Sequence, residues 1–535
     1  MNKKFFWRIL FIFIPIFVAL IALFSWIFTT KFSNGYRPSI FNYESYLSPK
    51  IIKKIKQNYN YKEFKEINEF SQALNAERAI AGVGSDFQAA QLIIDNKIKK
   101  LDFTQIYGNG ANDWNKRKLL YRKEIVDHML KFDKLIYDKI KNKQVKNPKA
   151  KILNSTEYDI DGDNKPDHFY EYIVPYYSQD KGIAYTLNKD FRQHLDTKNL
   201  ESKLKNKNLD WDEIINILKE HHYKRFGWTN AYYDNLMLGS IYAKNKNYNY
   251  FDETNYKKAI DDFVNFVEKT SKHSIKNTEY NYFTNDGLEL VNHLIEPKEK
   301  RSDASILYNG DALDAYYSKD NFANSKEGMI RFIRPKNNYL LMDGWVVSKT
   351  LNNEQTNKFL NVLRENIYSL NNVNSSYNNL LKKLTLNFFN ELRKNITNQD
   401  IKNEINRLEN ENNLTKEEAF QQVNKFINLL ESNDIQNEDE ILNFRNAGLF
   451  ESIFSKTFSN SNIGEILNFD YISYTPTDNI TFKFIEKWYF MNDQKALDIY
   501  RQPKENNDYK LLTYPIIDSN LRTKIASYYY EKTKS

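Results

Sequence analysis

Cysteine is absent from this 535-residue chain. That one absence removes disulfides, thiolate metal sites, cysteine nucleophiles and a lipid-modified N-terminal cysteine. Glycine (15) and proline (11) are scarce for the length, and neither a G-x-G-x-x-G nor a Walker-type run occurs, so a glycine-cradled phosphate site is excluded. The seven histidines contain no H-E-x-x-H pattern, and His221-His222 are adjacent and poorly placed to share a metal, so no catalytic metal centre is expected. Only one apolar run reaches bilayer-spanning length, which excludes a channel or permease.

What the chain has in quantity is charge of both signs and aromatic rings. Lys and Arg (77) exceed Asp and Glu (69) for a net charge of +8, but they are dispersed rather than gathered into a basic face, so no nucleic-acid partner is expected. Any cation site must therefore be acidic locally, against the field of the whole molecule. Aromatics reach 15 %, and the accompanying abundance of Lys, Asn and Ile is what AT-rich codons produce, so much of that excess carries no functional meaning. The length suits two lobes plus an appendage. The apolar run Ile9–Thr29 follows Lys3, Lys4 and Arg8 and lacks a small-x-small cleavage site. It reads as an uncleaved transmembrane anchor, with the N-terminus in the cytoplasm and the bulk of the chain on the extracytoplasmic side of the cell membrane.

Beyond the anchor, strands alternate with helices. Ile40–Asn42, Phe64–Ile67 and Ala79–Val83 read as strands, with helices from about Ser48, over Ser71–Arg78 and over Phe87–Ile98. This predicts an α/β lobe with a mainly parallel sheet, whose ligands sit beyond the carboxyl ends of the strands. Asn42–Tyr46 and Gly84–Phe87 fall at such ends. Asp343-Gly344 lies between the apolar runs Tyr339–Met342 and Trp345–Val347. The residues alone admit either a hairpin turn or a carboxylate held within buried strand, where it requires a cation or several donors.

The loop Asp159-Ile-Asp161-Gly-Asp163-Asn-Lys165-Pro-Asp167 carries carboxylates at positions 1, 3, 5 and 9, with the Lys165 carbonyl at position 7. The spacing suits a structural Ca²⁺, although Asn164 and Tyr170 depart from the EF-hand pattern, and a solvated acidic turn is the other reading. Between Val373 and Asn462, Leu381, Leu384, Phe388 and Leu392 recur at helical spacing, which predicts a helical insertion. Ile516–Lys534 reads as a closing helix.

Several of these blocks, in order, resemble bacterial spermidine/putrescine-binding proteins, the capture subunits of polyamine ABC importers. They are the aromatic turn Asn42–Tyr46, Gly84–Phe87, the strand YIVPYYSQDKGIAYTLN (172–188), WDEIINIL followed by RFGWTNAYYDNLMLGSIYA, SILYNGDALDAYY (305–317), RPKNNYLLMDGWVVSK (334–349) and SYTPT (473–477). The resemblance implies an α/β, two-lobed periplasmic-binding-protein-like (type II) fold. With the reading above it divides the chain into an N-terminal stub, transmembrane helix and linker (1–34), a first lobe (35–180), a second lobe (181–310) and a return segment (311–372). The added helical insertion (373–462) and the C-terminal part (463–535) complete it. It implies a non-enzymatic protein that binds a polyamine and passes it to separate permease and ATPase subunits, with no catalytic cofactor. By position it assigns Tyr43, Tyr46, Phe87, Tyr308 and Tyr474 to an aromatic wall, Ser85 to hydrogen bonding, and Asp234 and Asp343 to ammonium groups. Aromatic faces attract ammonium groups and give methylene chains an apolar wall. Two departures stand out: one of the family's paired acids falls at Ala231, and a stacking ring falls at Leu341. They leave open another cationic solute such as thiamine. A surface hydrolase using Asp234 and Asp343, and a calcium-dependent adhesin, are rivals of other classes.

Overall fold

The computed structural model describes residues 20–25, 37–205, 208–243, 251–318, 322, 325–411, 414–432 and 435–534. Most of Ile9–Thr29, and with it the expected anchor, lies outside the described residues. Within the run, Leu20, Ile21, Leu23 and Phe24 are helical and exposed. Among the described residues no helix is long and apolar enough to cross a membrane.

The strands are β1 (Ser39–Tyr43), β2 (Asn60–Phe64), β3 (Ala81–Ser85), β4 (Lys151–Ile152), β5 (Tyr158–Asp159), β6 (Val174–Thr186), β7 (Phe226–Thr229), β8 (Asn281–Thr284), β9 (Ala304–Tyr308), β10 (Ile330–Ile333), β11 (Asn337–Val347), β12 (Thr475–Pro476) and β13 (Lys510–Leu512). All but β4 and β5 join one sheet path, β2-β1-β3-β11-β6-β9-β7-β8, with β10 and β12 beside β6 and β13 beside β11. β1 runs parallel to β2 and β3, and β7 runs parallel to β8 and β9. These two parallel groups are the sheets of two α/β lobes, each strand feeding a helix that packs back on the sheet.

β6 belongs to both lobes. Its first half pairs antiparallel with β11 and its second half with β9 and β10, and all thirteen residues are buried. A strand covered on both faces reads as a near-continuous apolar run unless its polar residues have partners. In β6 the polar residues Ser178, Gln179, Asp180 and Lys181 sit at the crossing itself. Asp180 is met there by Arg334 through Nε and Nη2, while Arg334 also donates to the carbonyls of Asp498 and Ile499 at 2.7 Å each.

Asp343-Gly344 does not turn the chain. β11 runs unbroken through it, flanked by β3 and β6, and a bulge against Tyr176 absorbs one residue at that point. Two flanking strands hold the backbone extended where the dipeptide alone would fold back. The second strand lies at Asn60–Phe64 rather than Phe64–Ile67, because a helix capped by Glu66 and Glu69 already begins at Ile67. The helix after β3 covers Asp86–Ile94, closing four residues short of the expected end at Ile98.

Residues 373–462 form helices at Tyr377–Asn395, Asn398–Glu411, Lys416–Glu431, Glu438–Asn446 and Glu451–Asn460. Leu384, Phe388 and Leu392 are buried, and the Phe388 ring packs on Phe458 and Phe484, so the segment shares its core with the helix Asn479–Trp488. The helix Ser519–Lys534 closes on the second lobe, where Asn235 donates to the Tyr529 hydroxyl (2.7 Å) and that hydroxyl donates to Asn230 (3.0 Å).

Candidate functional site

In a strand, residues two apart share a face. On β6 that rule places Gln179 and Lys181 side by side, and each reaches one of the two carboxylates that the sequence singles out. Gln179 Nε2 donates to Asp343 Oδ2 (3.0 Å), and Lys181 Nζ donates to Asp234 Oδ2 (2.6 Å).

Around Asp343 the partners are neutral. Ser85 Oγ, at the carboxyl end of β3, donates to Oδ1 (2.7 Å), and the Tyr46 hydroxyl donates to Oδ2 (2.8 Å). The Tyr43 hydroxyl lies 2.9 Å from Ser85 Oγ and donates to Gln88 Oε1 (3.1 Å). Asp343 is 2 % exposed, and no lysine, arginine or histidine pairs with it among the described residues. Burial pushes its carboxyl up to about 6, and the nearby Asp86 adds to the rise, while Ser85, Tyr46 and Gln179 pull the other way. Asp86 itself faces His128 Nε2 (2.6 Å) and accepts the Met342 N–H (2.8 Å), fixing β11 against the helix start.

The rings continue from there into the second lobe. Tyr474 lies 5.5 Å from Tyr46, edge to face, and its hydroxyl donates to Asp311 (2.7 Å). Burial raises the Asp311 carboxyl above the ordinary range, with Tyr474 and Lys181 opposing it. Tyr474 lies flat on Gly310: a methyl there would stand 1.6 Å from its ring. Phe87 stacks between Tyr233 (4.5 Å) and Tyr514 (5.2 Å).

Asp234 is the charged counterpart of Asp343. Its Oδ1 accepts the hydroxyls of Tyr308 (2.8 Å) and Tyr514 (2.5 Å), and the Lys181 ammonium that meets Oδ2 also sits 3.4 Å from the Tyr308 ring centroid. Lys181 is directly opposite Tyr308 in the β6–β9 ladder, which is why the two side chains meet.

The eight predicted ligand residues thus fall in two clusters, one about Asp343 and one about Asp234, which β6 joins through Gln179 and Lys181. Gln179, Lys181, Asp311 and Tyr514 join them and were not singled out by the sequence. For Lys181 a signal existed: a lysine inside a buried strand must find a counter-charge.

The loop 159–167 lies apart, on the first lobe. Carboxylate oxygens of Asp159, Asp161 and Asp167 come within 4.8 Å of one another. Asp163 stands outside this trio, its Oδ1 accepting the Lys165 N–H (2.8 Å). The trio offers the hard oxygens that calcium takes. Asp159, however, already accepts the N–H groups of Gly162 (2.7 Å) and Asn164 (2.9 Å), and Lys151 lies 3.4 Å away. Asp167 accepts from Ile160 N–H, the Tyr172 hydroxyl and Lys100 Nζ (2.6 Å). Lys100 and Lys151, from outside the loop, bring positive charge to the same carboxylates that a cation would use.

No protein-family model matches the chain, and no curated protein sequence matches it. Among solved structures, a Listeria monocytogenes protein described as a spermidine/putrescine ABC transporter aligns over 94 % of this chain and 99 % of its own, at 12 % identity and a TM-score of 0.48. The spermidine/putrescine substrate-binding protein of Streptococcus pneumoniae, in complex with calcium and HEPES, aligns over 64 % of this chain and 83 % of its own, at 14 % identity and a TM-score of 0.38. A Treponema pallidum lipoprotein aligns over 63 % of this chain and 82 % of its own, at 14 % identity and a TM-score of 0.37.

Proposed function

We propose that this chain is the solute-binding subunit of an ABC importer, anchored in the cell membrane by Ile9–Thr29 and facing outward, and that its solute is an aliphatic amine of the polyamine class. It is a binding protein and not an enzyme. The observation that carries the reading is Asp343: a buried carboxylate at the lobe crossing that, among the described residues, meets three neutral donors and no cation. A charge so placed is unfavourable in the unliganded chain and becomes favourable once an ammonium joins it. Tyr43, Tyr46 and Tyr474 supply faces for the ammonium and walls for its methylenes. Opening at the β6 and β10–β11 crossings would admit the ligand, and closure would present both lobes to a separate permease. A hydrolase reading needs two free carboxylates facing each other, and Lys181 already engages Asp234.

The test uses the full chain in detergent. Native mass spectrometry should find a co-purified amine, and calorimetry should register putrescine or spermidine binding that Asp343→Asn weakens by at least about tenfold. A wild-type chain that retains no amine and takes up neither compound would refute the reading.

A further inference from the structure

The two carboxylates joined by β6 differ in one respect. Among the described residues Asp343 meets only neutral groups, whereas Asp234 already holds an ammonium beside Tyr308 and Tyr514. The surroundings of Lys181 Nζ are those an ammonium ligand would require: a buried carboxylate oxygen at 2.6 Å, an aromatic face at 3.4 Å, and two tyrosine hydroxyls holding the other carboxylate oxygen in place. Lys181 is 1 % exposed and Asp234 4 %, so this ammonium is shut off from water as a bound ligand's would be.

We propose that Lys181 fills, in cis, an ammonium subsite built by Asp234, Tyr308 and Tyr514, and is the residue that sets how many cationic groups an incoming amine can bring. The proposal rests on the amine-capture reading above for its consequence, though the subsite itself is argued from geometry alone. Apart from Asp180 and Asp86, which Arg334 and His128 meet, three carboxylates lie along the crossing, Asp343, Asp311 and Asp234, and among the described residues the chain contributes one ammonium to them. Two charges remain for a ligand. The chain therefore favours an aliphatic diamine over a triamine, because the third ammonium of a triamine would have to displace Lys181 or stay unpaired beside it. Like charges placed together in a buried site are strongly disfavoured, which turns Lys181 into a repulsive element against the longer ligand. The register of the β6–β9 ladder keeps it there, since Lys181 and Tyr308 face each other across it.

The test combines truncation with chemical rescue. Lys181→Ala in the full chain removes three methylenes and the ammonium, the shape of n-propylammonium, and leaves Asp234 buried without its cation. The variant should melt well below the wild type and regain stability, saturably, with millimolar n-propylammonium, by a margin clearly larger than any response of the wild type through Asp343. In calorimetry the ratio of spermidine to putrescine affinity should rise by about tenfold or more in Lys181→Ala. Should the variant fail to fold, folding that depends on added n-propylammonium is the same positive result, and the milder Lys181→Gln then carries the affinity ratio. Adding Asp234→Asn to Lys181→Ala should remove the extra amine response, and a rescue that persists in the double variant would count against the subsite. No amine response in Lys181→Ala, or an unchanged affinity ratio in both variants, would overturn the proposal. A wild type that binds no amine while Lys181→Ala is still rescued by n-propylammonium would refute the capture reading and leave the subsite standing.

Discussion

Asp343 gives the sharpest quantitative expectation, because the same charge should be harmful to the unliganded chain and necessary for the liganded one. Its carboxyl is raised from 3.8 to about 6 by burial. At about 1.4 kcal/mol per unit, the shift amounts to roughly 3 kcal/mol. A folded-state value above the unfolded one means that the native chain holds a proton the unfolded chain has released. The associated stability is thus present below about pH 4 and is lost as the pH rises to about 6 and beyond. Asp343→Asn does not titrate, and its surroundings can accommodate it. The amide oxygen can accept from Tyr46 and Gln179, while the amide nitrogen donates to Ser85 Oγ, whose hydroxyl turns to Tyr43. Denaturant unfolding of the unliganded chain should therefore find Asp343→Asn more stable than the wild type by about 2–3 kcal/mol at pH 8, with the gap closing towards pH 4. Glu465, also raised by burial, to about 7, titrates in both proteins and cancels in the difference. Amine affinity should follow the ionised form, falling about tenfold per pH unit below about pH 6 in the wild type. A variant less stable than the wild type at pH 8, or a difference that does not change between pH 5 and 8, would refute the view that this carboxylate is held poised for a cation.

Other perturbations address the frame around it. Gly310→Ala should displace Tyr474 and break its bond to Asp311, lowering stability by about 1–3 kcal/mol and weakening amine binding; in a Tyr474→Ala background the same change should be nearly silent, and equal costs in both backgrounds would count against the contact. Arg334→Met strands Asp180 at the lobe crossing and should cost about 3–5 kcal/mol in denaturant unfolding, with Asp180→Asn added to it recovering part of the loss. Because Lys100 and Lys151 already face Asp167 and Asp159, millimolar calcium should leave the melting temperature of the wild type within about 2 °C, whereas a larger rise that Asp159→Asn abolishes would establish a calcium loop.

The sequence alone was enough for the kind of chain this is. The alternation of apolar strands and amphipathic helices carries an α/β lobe, and the unbroken apolar residues on either side of Asp343 mark a carboxylate that needs explaining. Helix positions were legible where periodicity is strong, as at Phe87–Ile98, where a helix forms over Asp86–Ile94, and shifted where a capping pair such as Glu66 and Glu69 went unread. The Asp-Gly pair could not announce its own conformation, since the choice between turn and extended strand belongs to β3 and β6, which flank it. Only the tertiary structure decided which charges meet. Lys181 and Asp234 lie 53 residues apart, and Asp343 and Tyr46 lie 297 apart. A period of two tells which face of a strand a side chain occupies, but the partner on that face is set by strand register and by the packing of one lobe on the other. That is why the acids could be named from the sequence, while the lysine that pairs with one of them, and leaves the other without a cation among the described residues, could not.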